Sequence, residues 1–409
     1  MKNRVSFLFI SFIISAFFFS GCSKEREIWR YDLGETLKVQ TIPLALPEKG
    51  LVVTWKIIIT ADDEAEGRYV IPRVRTVKPG IALELEKKRF QAALVGLDEE
   101  SGEERWVSPP LGESDQNLSS PVAFDDKIYV GSDNGFLYEI DAGSGEILWS
   151  YKTEGWIYAS PTVSREYIVA GNENGTLFCW ARENKELLFQ KELPGSVDFP
   201  WIIDGNRLFG AAGNTLFLYS TRGEFLNKWQ SSDKYTDYDG FEKKNAPVVS
   251  ALFYDGKQAA FVTQGEYLHL FDVEKWESLQ RFYASGMTGA RPLIYETSLI
   301  AGSPEGVLVF DKESRNLKTI LKTDHRWMDF NLKFRRGGAV NGGFLLHNGI
   351  LYFGSYDYAL YGYDIRSLKR IFKFAIQHHI DRTIPVMGKK YLIFGADSHH
   401  LYAVSPYEP

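Results

Sequence analysis

The stretch "GSDNGFLYEIDAGSGEILW", Gly131 to Trp149, returns forty residues later as "GNENGTLFCWARENKELLF". In the first copy, Phe136, Tyr138 and Ile140 alternate with Leu137 and Glu139, the period-two pattern of a strand, and the preceding "KIYVGS" (Lys127 to Ser132) reads the same way. Between them lies "SDNG", whose Asn-Gly pair tolerates positive φ and makes a tight hairpin turn, so these two strands are antiparallel neighbours. A second turn, "DAGSGE", leads into "ILW", and "SSPVAF" (Ser119 to Phe124) supplies a further short strand upstream. The unit is a four-stranded meander.

Working outward, the unit recurs through anchors: Pro121, Pro161 and Pro200; Gly131, Gly171 and Gly210; Leu137, Leu177 and Leu216; Trp149, Phe189 and Trp229, at spacings of 39 or 40 residues. Weaker copies begin at Ala246, Ala290 and Gly342. One small sheet cannot bury both of its faces alone, so a four-strand unit repeated at this period reads as a propeller blade stacked on its neighbours around an axis. The last unit, "TIPVMGKKYLIFGADSHHLYAVSPYEP", has only three strands, while "EIWRYDLG" (Glu27 to Gly34) matches "EILWSYKTEG" (Glu146 to Gly155) at the other end of the chain. Ile28 to Tyr31 are therefore expected to form the missing outer strand and to remove two open sheet edges. Units beginning near Pro43, Pro121, Pro161, Pro200, Pro247, Pro292, Phe344 and Pro385 predict an all-β fold, an eight-bladed β-propeller of four-stranded antiparallel blades, the last closed by the N-terminal strand.

Repeats running from end to end of 409 residues favour one domain over 27–409 rather than two or three. A net charge of -6 and no basic motif argue against a nucleic-acid binder. The start of the chain differs: Lys2 and Arg4 precede an apolar run from Val5 to Phe19, short for a spanning helix and placed as an export signal over 1–21. The run ends in Phe19-Ser20-Gly21-Cys22, which resembles the bacterial lipobox. That resemblance implies a lipidated Cys22, a tether over 22–26, and, with Ser23 following the cysteine, the periplasmic face of the outer membrane. Only Cys179, in "TLFCW", then remains, which excludes an intramolecular disulfide and reads as a small buried hydrophobe.

The repeat itself resembles that of PQQ-type propellers, through Gly135, Leu137, Tyr138, Ile140, Asp141, Gly145 and Trp149. With a lipobox and about four hundred residues, the whole is similar to the BamB-like lipoproteins. The resemblance implies a membrane-anchored scaffold without catalysis or cofactor, with protein partners in an outer-membrane β-barrel assembly complex, the chain itself being monomeric. PQQ-dependent dehydrogenases share the repeat, but their adjacent paired cysteines have no counterpart here. Asp141, Asp272, Asp311 and Asp364 stand just after the third strand of their units, the ordinary place for a carboxylate that accepts N–H bonds in a turn. "HHID" (His378 to Asp381) and "DSHH" (Asp397 to His400) supply imidazoles that zinc or nickel could use, yet neighbours on a strand face opposite sides and loop histidines are usually solvated, so no metal is expected.

Departures from the repeat length all fall where the turn between second and third strands, or the link between blades, would lie, which is one rim of the ring. They are Ala61 to Phe90, Gln230 to Ala246 and Lys322 to Ala339. The first reads as a protruding hairpin carrying Arg73, Arg75, Lys87 and Arg89; the third mixes Trp327, Phe330 and Phe334 with Arg326, Arg335 and Arg336, residue types that anchor interfaces. These ten are the candidate partner-binding residues. Two further readings stay open: a periplasmic propeller that binds a small ligand or cofactor in its axial funnel, and a surface adhesin or sensor.

Overall fold

The computed structural model describes the backbone over residues 27–32, 43–46, 50–59, 89–113, 119–324, 338–376, 379–380, 383–396 and 400–406, and side chains within these from residue 93 onward, apart from 112–113. The quoted stretch folds as its pattern dictates. Lys127–Gly131 pairs with Phe136–Asp141, and Phe136–Asp141 with Ile147–Lys152, all antiparallel. Gly135 turns the hairpin at φ +79, and a Cβ there would lie 2.9 Å from the carbonyl oxygens of Thr153 and Gly155, so both conformation and space require glycine. The second and third strands of each unit are buried along most of their length, and the fourth alternates toward solvent.

Seven sheets are four-stranded antiparallel blades: 122–152, 162–192, 202–230, 253–283, 293–322, 345–375, and a closing blade. In the closing blade Glu27–Asp32 lies beside His400–Val404, followed by Leu392–Ala396 and Val386–Met387. Its register slips between Glu27 and Trp29 as that of the 122–152 blade slips between Ile147 and Trp149, so the N-terminal strand takes the place of a fourth strand in detail.

The expectation of eight four-stranded blades is corrected to seven. The unit from Pro43 is a five-stranded sheet instead, for two reasons visible in its strands. Gly50–Ile59 and Arg89–Leu97 run on toward the first insertion, well past the usual six residues, and so offer a longer edge. That edge is filled in two pieces, Glu104–Val107 against 95–97 and Gly112–Glu113 against 91–92, because Pro109 and Pro110 between them cannot donate to a ladder.

Apolar clusters lie between successive sheets rather than within them. One joins Leu94 and Leu111 to Ile128, Val130 and Ile140; another joins Ala93, Val95 and Leu97 to Ile393, Leu401 and Ala403 of the closing blade. At four successive joints the aromatic of the fourth strand docks on the next sheet. Trp106 donates its indole N–H to the Ala142 carbonyl at 3.2 Å and covers Gly145; Trp149 meets Trp180 edge-on at 5.9 Å; Phe189 covers Gly223; Trp229 meets Phe261 at 5.7 Å. A buried carboxylate adds to the second joint: Glu139 bonds Lys127 of its own blade at 2.7 Å and Lys185 of the next at 2.5 Å.

Trp180 is fully buried, stacked on Phe178 at 5.4 Å and edge-on to Tyr151 at 4.9 Å. Trp180→Ala is expected to lower stability by about 3–5 kcal/mol in urea unfolding, since it removes the surface on which Trp149 and Tyr151 rest. Trp180→Phe should cost clearly less, because the indole N–H has no acceptor among the described residues and its loss strands nothing. Equal losses from the two substitutions would contradict this account of the joint.

Candidate functional site

The connection between the 202–230 and 253–283 blades is the one long insertion that is described throughout. It forms a small hairpin, Lys234–Thr236 against Glu242–Lys244. At the tip, Asp237 Oδ1 accepts from the N–H groups of Asp239 at 3.1 Å and Phe241 at 2.8 Å, and Gly240 supplies the left-handed turn. This closure leaves the Tyr238 ring wholly in solvent and Phe241 64% exposed.

The base of the hairpin is held by a buried carboxylate. Asp233, 2% exposed, accepts from Thr263 Oγ1 at 2.8 Å, His269 Nε2 at 2.7 Å and Arg281 at 2.9 Å, all from the adjoining blade. With Nε2 donating to the carboxylate, Nδ1 of His269 lies 3.0 Å from the Ser278 hydroxyl. The imidazole is stacked on Phe261 at 4.9 Å and meets Trp229 edge-on at 5.3 Å. Burial pushes the Asp233 carboxyl upward, but the bonds from His269, Thr263 and Arg281 outweigh it and hold its pKa at about 2. Ser278, His269 and Asp233 have the composition of a nucleophilic triad, yet the ring between serine and aspartate is walled in by aromatics, and neither Ser278 nor His269 lines the neighbouring cleft. The cluster is an anchor.

Between the hairpin and the turn at 264–266 lies an open cleft of about 650 Å³. Tyr235, Tyr267 and Tyr283 give it an aromatic wall; Arg281 lies 4.9 Å over the Tyr267 ring, and Tyr267 and Tyr283 are 5.3 Å apart. Two ion pairs lie within the wall, Asp233 with Arg281 and Lys234 with Glu242 at 2.9 Å, and the Glu266 carboxylate accepts from the Gly286 N–H at 2.7 Å.

Of the candidates named from sequence, Cys22, Arg73, Arg75, Lys87, Arg326, Trp327, Phe330, Phe334, Arg335 and Arg336 lie outside the described residues. Arg89 heads the strand Arg89–Leu97, paired with Ile59, and its side chain is outside them too. The root of the third insertion is described. Asp324 bonds Arg370 at 2.7 Å and Lys373 at 2.6 Å, its N–H donates to the Tyr361 hydroxyl, and Thr323 donates to the Gly338 carbonyl at 3.1 Å. The hairpin at 234–244 was given no candidates from sequence, although "KYTDYDGFEKK" carries the signal: two short polar-aromatic runs around an Asp-Gly turn.

The four turn aspartates do what their position implies. Asp141, Asp272 and Asp311 each accept from two N–H groups of the following turn, and Asp364 accepts from Ser367. Cys179 is fully buried, and burial pushes its thiol up to about 12. Of the two histidine pairs, His379 is packed against the rings of Tyr356 and Tyr358, both at 4.6 Å, and His400 lies beside Tyr402; the other two are outside the described residues. Among the described residues no group of three or more His, Cys, Asp or Glu is placed to hold a metal ion.

Four-stranded meanders joined in sequence, pinned at four successive joints by an outer-strand aromatic, define a β-propeller. The particular likeness is to BamB: the family model for "Outer membrane protein assembly factor BamB" matches residues 91–178. Among solved structures, BamB from Moraxella catarrhalis is similar at 12% identity and a TM-score of 0.61, covering 94% of this chain and 98% of that one. The computationally designed Ika8 protein is similar at 14% identity and a TM-score of 0.58, covering 78% of this chain and 93% of the other. No curated protein sequence matches the chain. The chain is a β-propeller similar to BamB in fold, with the family match lying in residues 91–178.

Asp233→Ala should free the hairpin and cost about 1–3 kcal/mol, because the buried Thr263 and His269 lose their acceptor, while Arg281, more than half exposed, loses an ion-pair partner that water can replace. The acid limb follows with a definite sign. The folded pKa of about 2 lies below the ordinary aspartate value of 3.8, so the stabilisation is complete above about pH 4 and is lost as pH falls toward 2. Acid titration of stability between pH 4 and 2 should therefore be steeper in the wild type than in Asp233→Asn; parallel curves would show that the carboxylate contributes nothing.

Proposed function

We propose that the chain is an exported, membrane-anchored scaffold that binds protein partners through the insertion rim and serves outer-membrane β-barrel assembly. The observation that carries this reading is the hairpin at 234–244, which holds Tyr238 and Phe241 in solvent on a base locked by Asp233. Exposed aromatics on a pre-ordered support are the residues that dominate interface energies, and ordering them beforehand lowers the entropic cost of binding. The aromatic wall of the adjoining cleft, Tyr235, Tyr267 and Tyr283, is a surface suited to a protein partner. The BamB-like repeat supports the assembly role, the lipobox around Cys22 supports the anchor, and the sequence assigns Arg73, Arg75, Lys87, Arg89, Arg326, Trp327, Phe330, Phe334, Arg335 and Arg336 to insertions expected on the same rim. No step of catalysis and no cofactor is assigned.

Tyr238→Ala with Phe241→Ala should leave the melting temperature unchanged, since both side chains are exposed, and should weaken co-purification of partners from detergent-solubilised membranes by about tenfold or more, the loss typical of two contact aromatics. Full recovery of every partner by the doubly substituted protein would remove the hairpin from the binding surface. Separately, Cys22→Ser should move the protein from the membrane to the soluble periplasmic fraction in a strain lacking its partners. Retention on the membrane there would disprove the anchor.

A further inference from the structure

Every fourth strand contains a bulge near its start, where one residue has no partner in the register. A bulge bends the strand and turns its extra residue outward. That residue is Arg105 in the first sheet and Lys318 in the 293–322 blade, each ion-paired with the aspartate at the end of the third strand, Asp98 or Asp311, so the position accepts a cation. In four consecutive blades it is leucine instead, Leu279 in the fourth being half-buried, as is Ile371 at the same position of the 345–375 blade. Leu148, Leu188 and Leu226 are exposed at 49%, 41% and 49%, each beside a second exposed apolar residue, Ile147, Leu187 or Phe225. Packing does not account for them, since the neighbours they would need are solvent.

The same position in the closing blade is Ile28, between Glu27 paired with Val404 and Trp29 paired with Ala403. Fourth strands begin at the end of the ring opposite the hairpin rim, because the rim carries the turns between second and third strands and the links that follow fourth strands. The chain therefore enters the propeller at the leucine end. Cys22 precedes Glu27 by five residues, a reach of about 18 Å at full extension. The turns at that end carry both signs of charge, as at Asp125, Arg165, Glu166, Arg222 and Glu224, and so present no uniform acidic field to anionic lipid.

We infer that Leu148, Leu188 and Leu226, with their apolar neighbours, form a band that rests on the bilayer surface, so that the anchored propeller sits with this end on lipid and the hairpin rim turned away from it. The inference rests on the proposed anchor at Cys22, which brings the band within reach of lipid. Apolar side chains at the headgroup boundary add to a single lipid tether, which alone gives only weak and reversible attachment.

The test places a single environment-sensitive fluorophore on Leu148→Cys, Leu188→Cys or Leu226→Cys, with Tyr238→Cys as the comparison, in the full lipoprotein reconstituted into phosphatidylethanolamine–phosphatidylglycerol vesicles that carry doxyl-quencher lipid. A second arm replaces Cys22 by an oligohistidine tether on nickel-chelating lipid in the same vesicles, so that lipid proximity is imposed. The three bulge sites should lose most of their emission to the quencher in both arms, and the Tyr238 site should not. Quenching in the tethered arm alone would overturn the anchor and support the band. Unquenched bulge sites in the tethered arm, or equal quenching at Tyr238, would overturn the band. Leu148→Lys, Leu188→Lys and Leu226→Lys together should leave the melting curve intact, as Arg105 and Lys318 imply, and abolish quenching at a fluorophore on Phe225→Cys. Dimerisation of the vesicle-free wild type that the triple substitution abolishes would assign the band to a second copy and overturn the lipid reading.

Discussion

The contact between the aromatic of one fourth strand and the sheet that follows is what the rest of the structure depends on. A four-stranded sheet of this width has two apolar faces and no helix to cover either, so its second and third strands can be buried only against neighbouring sheets. Trp106, Trp149, Phe189 and Trp229 make that contact at the outer margin, where blades splay apart and a small side chain would leave a wedge open to water. The glycines opposite them have a physical reason: a Cβ on Gly145 would lie 2.4 Å from the Trp106 ring, and one on Gly223 lies 2.7 Å from Phe189. The same logic requires the N-terminal strand. Without Glu27–Asp32 beside His400–Val404, one blade would keep an open edge and lack a fourth strand for its neighbour to meet.

Once the joints are secure, polar groups can be buried between blades at acceptable cost. Glu139 and Asp233 are both carboxylates within a few per cent of complete burial, and both are met by cations or hydrogen-bond donors that come in part from the next blade. Neither would persist alone, because an ion without partners in such a place would neutralise or unfold its surroundings. Their positions differ in consequence. Glu139 sits within a regular joint and reinforces it, whereas Asp233 stands at the root of an insertion and gives an element outside the repeat a fixed direction.

The repeat was legible because its determinants are local: period-two alternation, Asn-Gly turns, and a fourth-strand aromatic at a constant spacing. Strand positions, the closure by Glu27–Asp32 and the bonding of Asp141, Asp272, Asp311 and Asp364 all follow from such signals. The count of regular blades was not, since Pro43 opens a unit with the right anchors whose outer edge is then divided by Pro109 and Pro110 between two short strands. The hold on the hairpin was invisible for a different reason. Asp233, Thr263, His269 and Arg281 are separated by up to 48 residues, and no pattern in one chain announces that they converge. The tip is the reverse case: "DYDG" is a turn signal of the same strength as those in the repeat, and it was outweighed by the more conspicuous arginines and aromatics of the other two insertions.

A ring built from one repeated joint leaves function to whatever the joint does not constrain. Two kinds of position are free in that sense: the connections at the rim, which lengthen without touching the core, and the bulge on the fourth strands of the 122–152, 162–192 and 202–230 blades, whose side chain is largely in solvent. Residues at these positions carry information that the fold does not need. Tyr238 and Phe241 at one end, and Leu148, Leu188 and Leu226 at the other, are exposed apolar side chains, the last three at a position that Arg105 and Lys318 fill in other blades. The two sets are separated by the length of the strands between them. A protein held by its N-terminus at the bulge end and presenting a stiff aromatic hairpin at the other would hold a partner at a set height above the surface, which is a task for a rigid ring and one that needs no moving part.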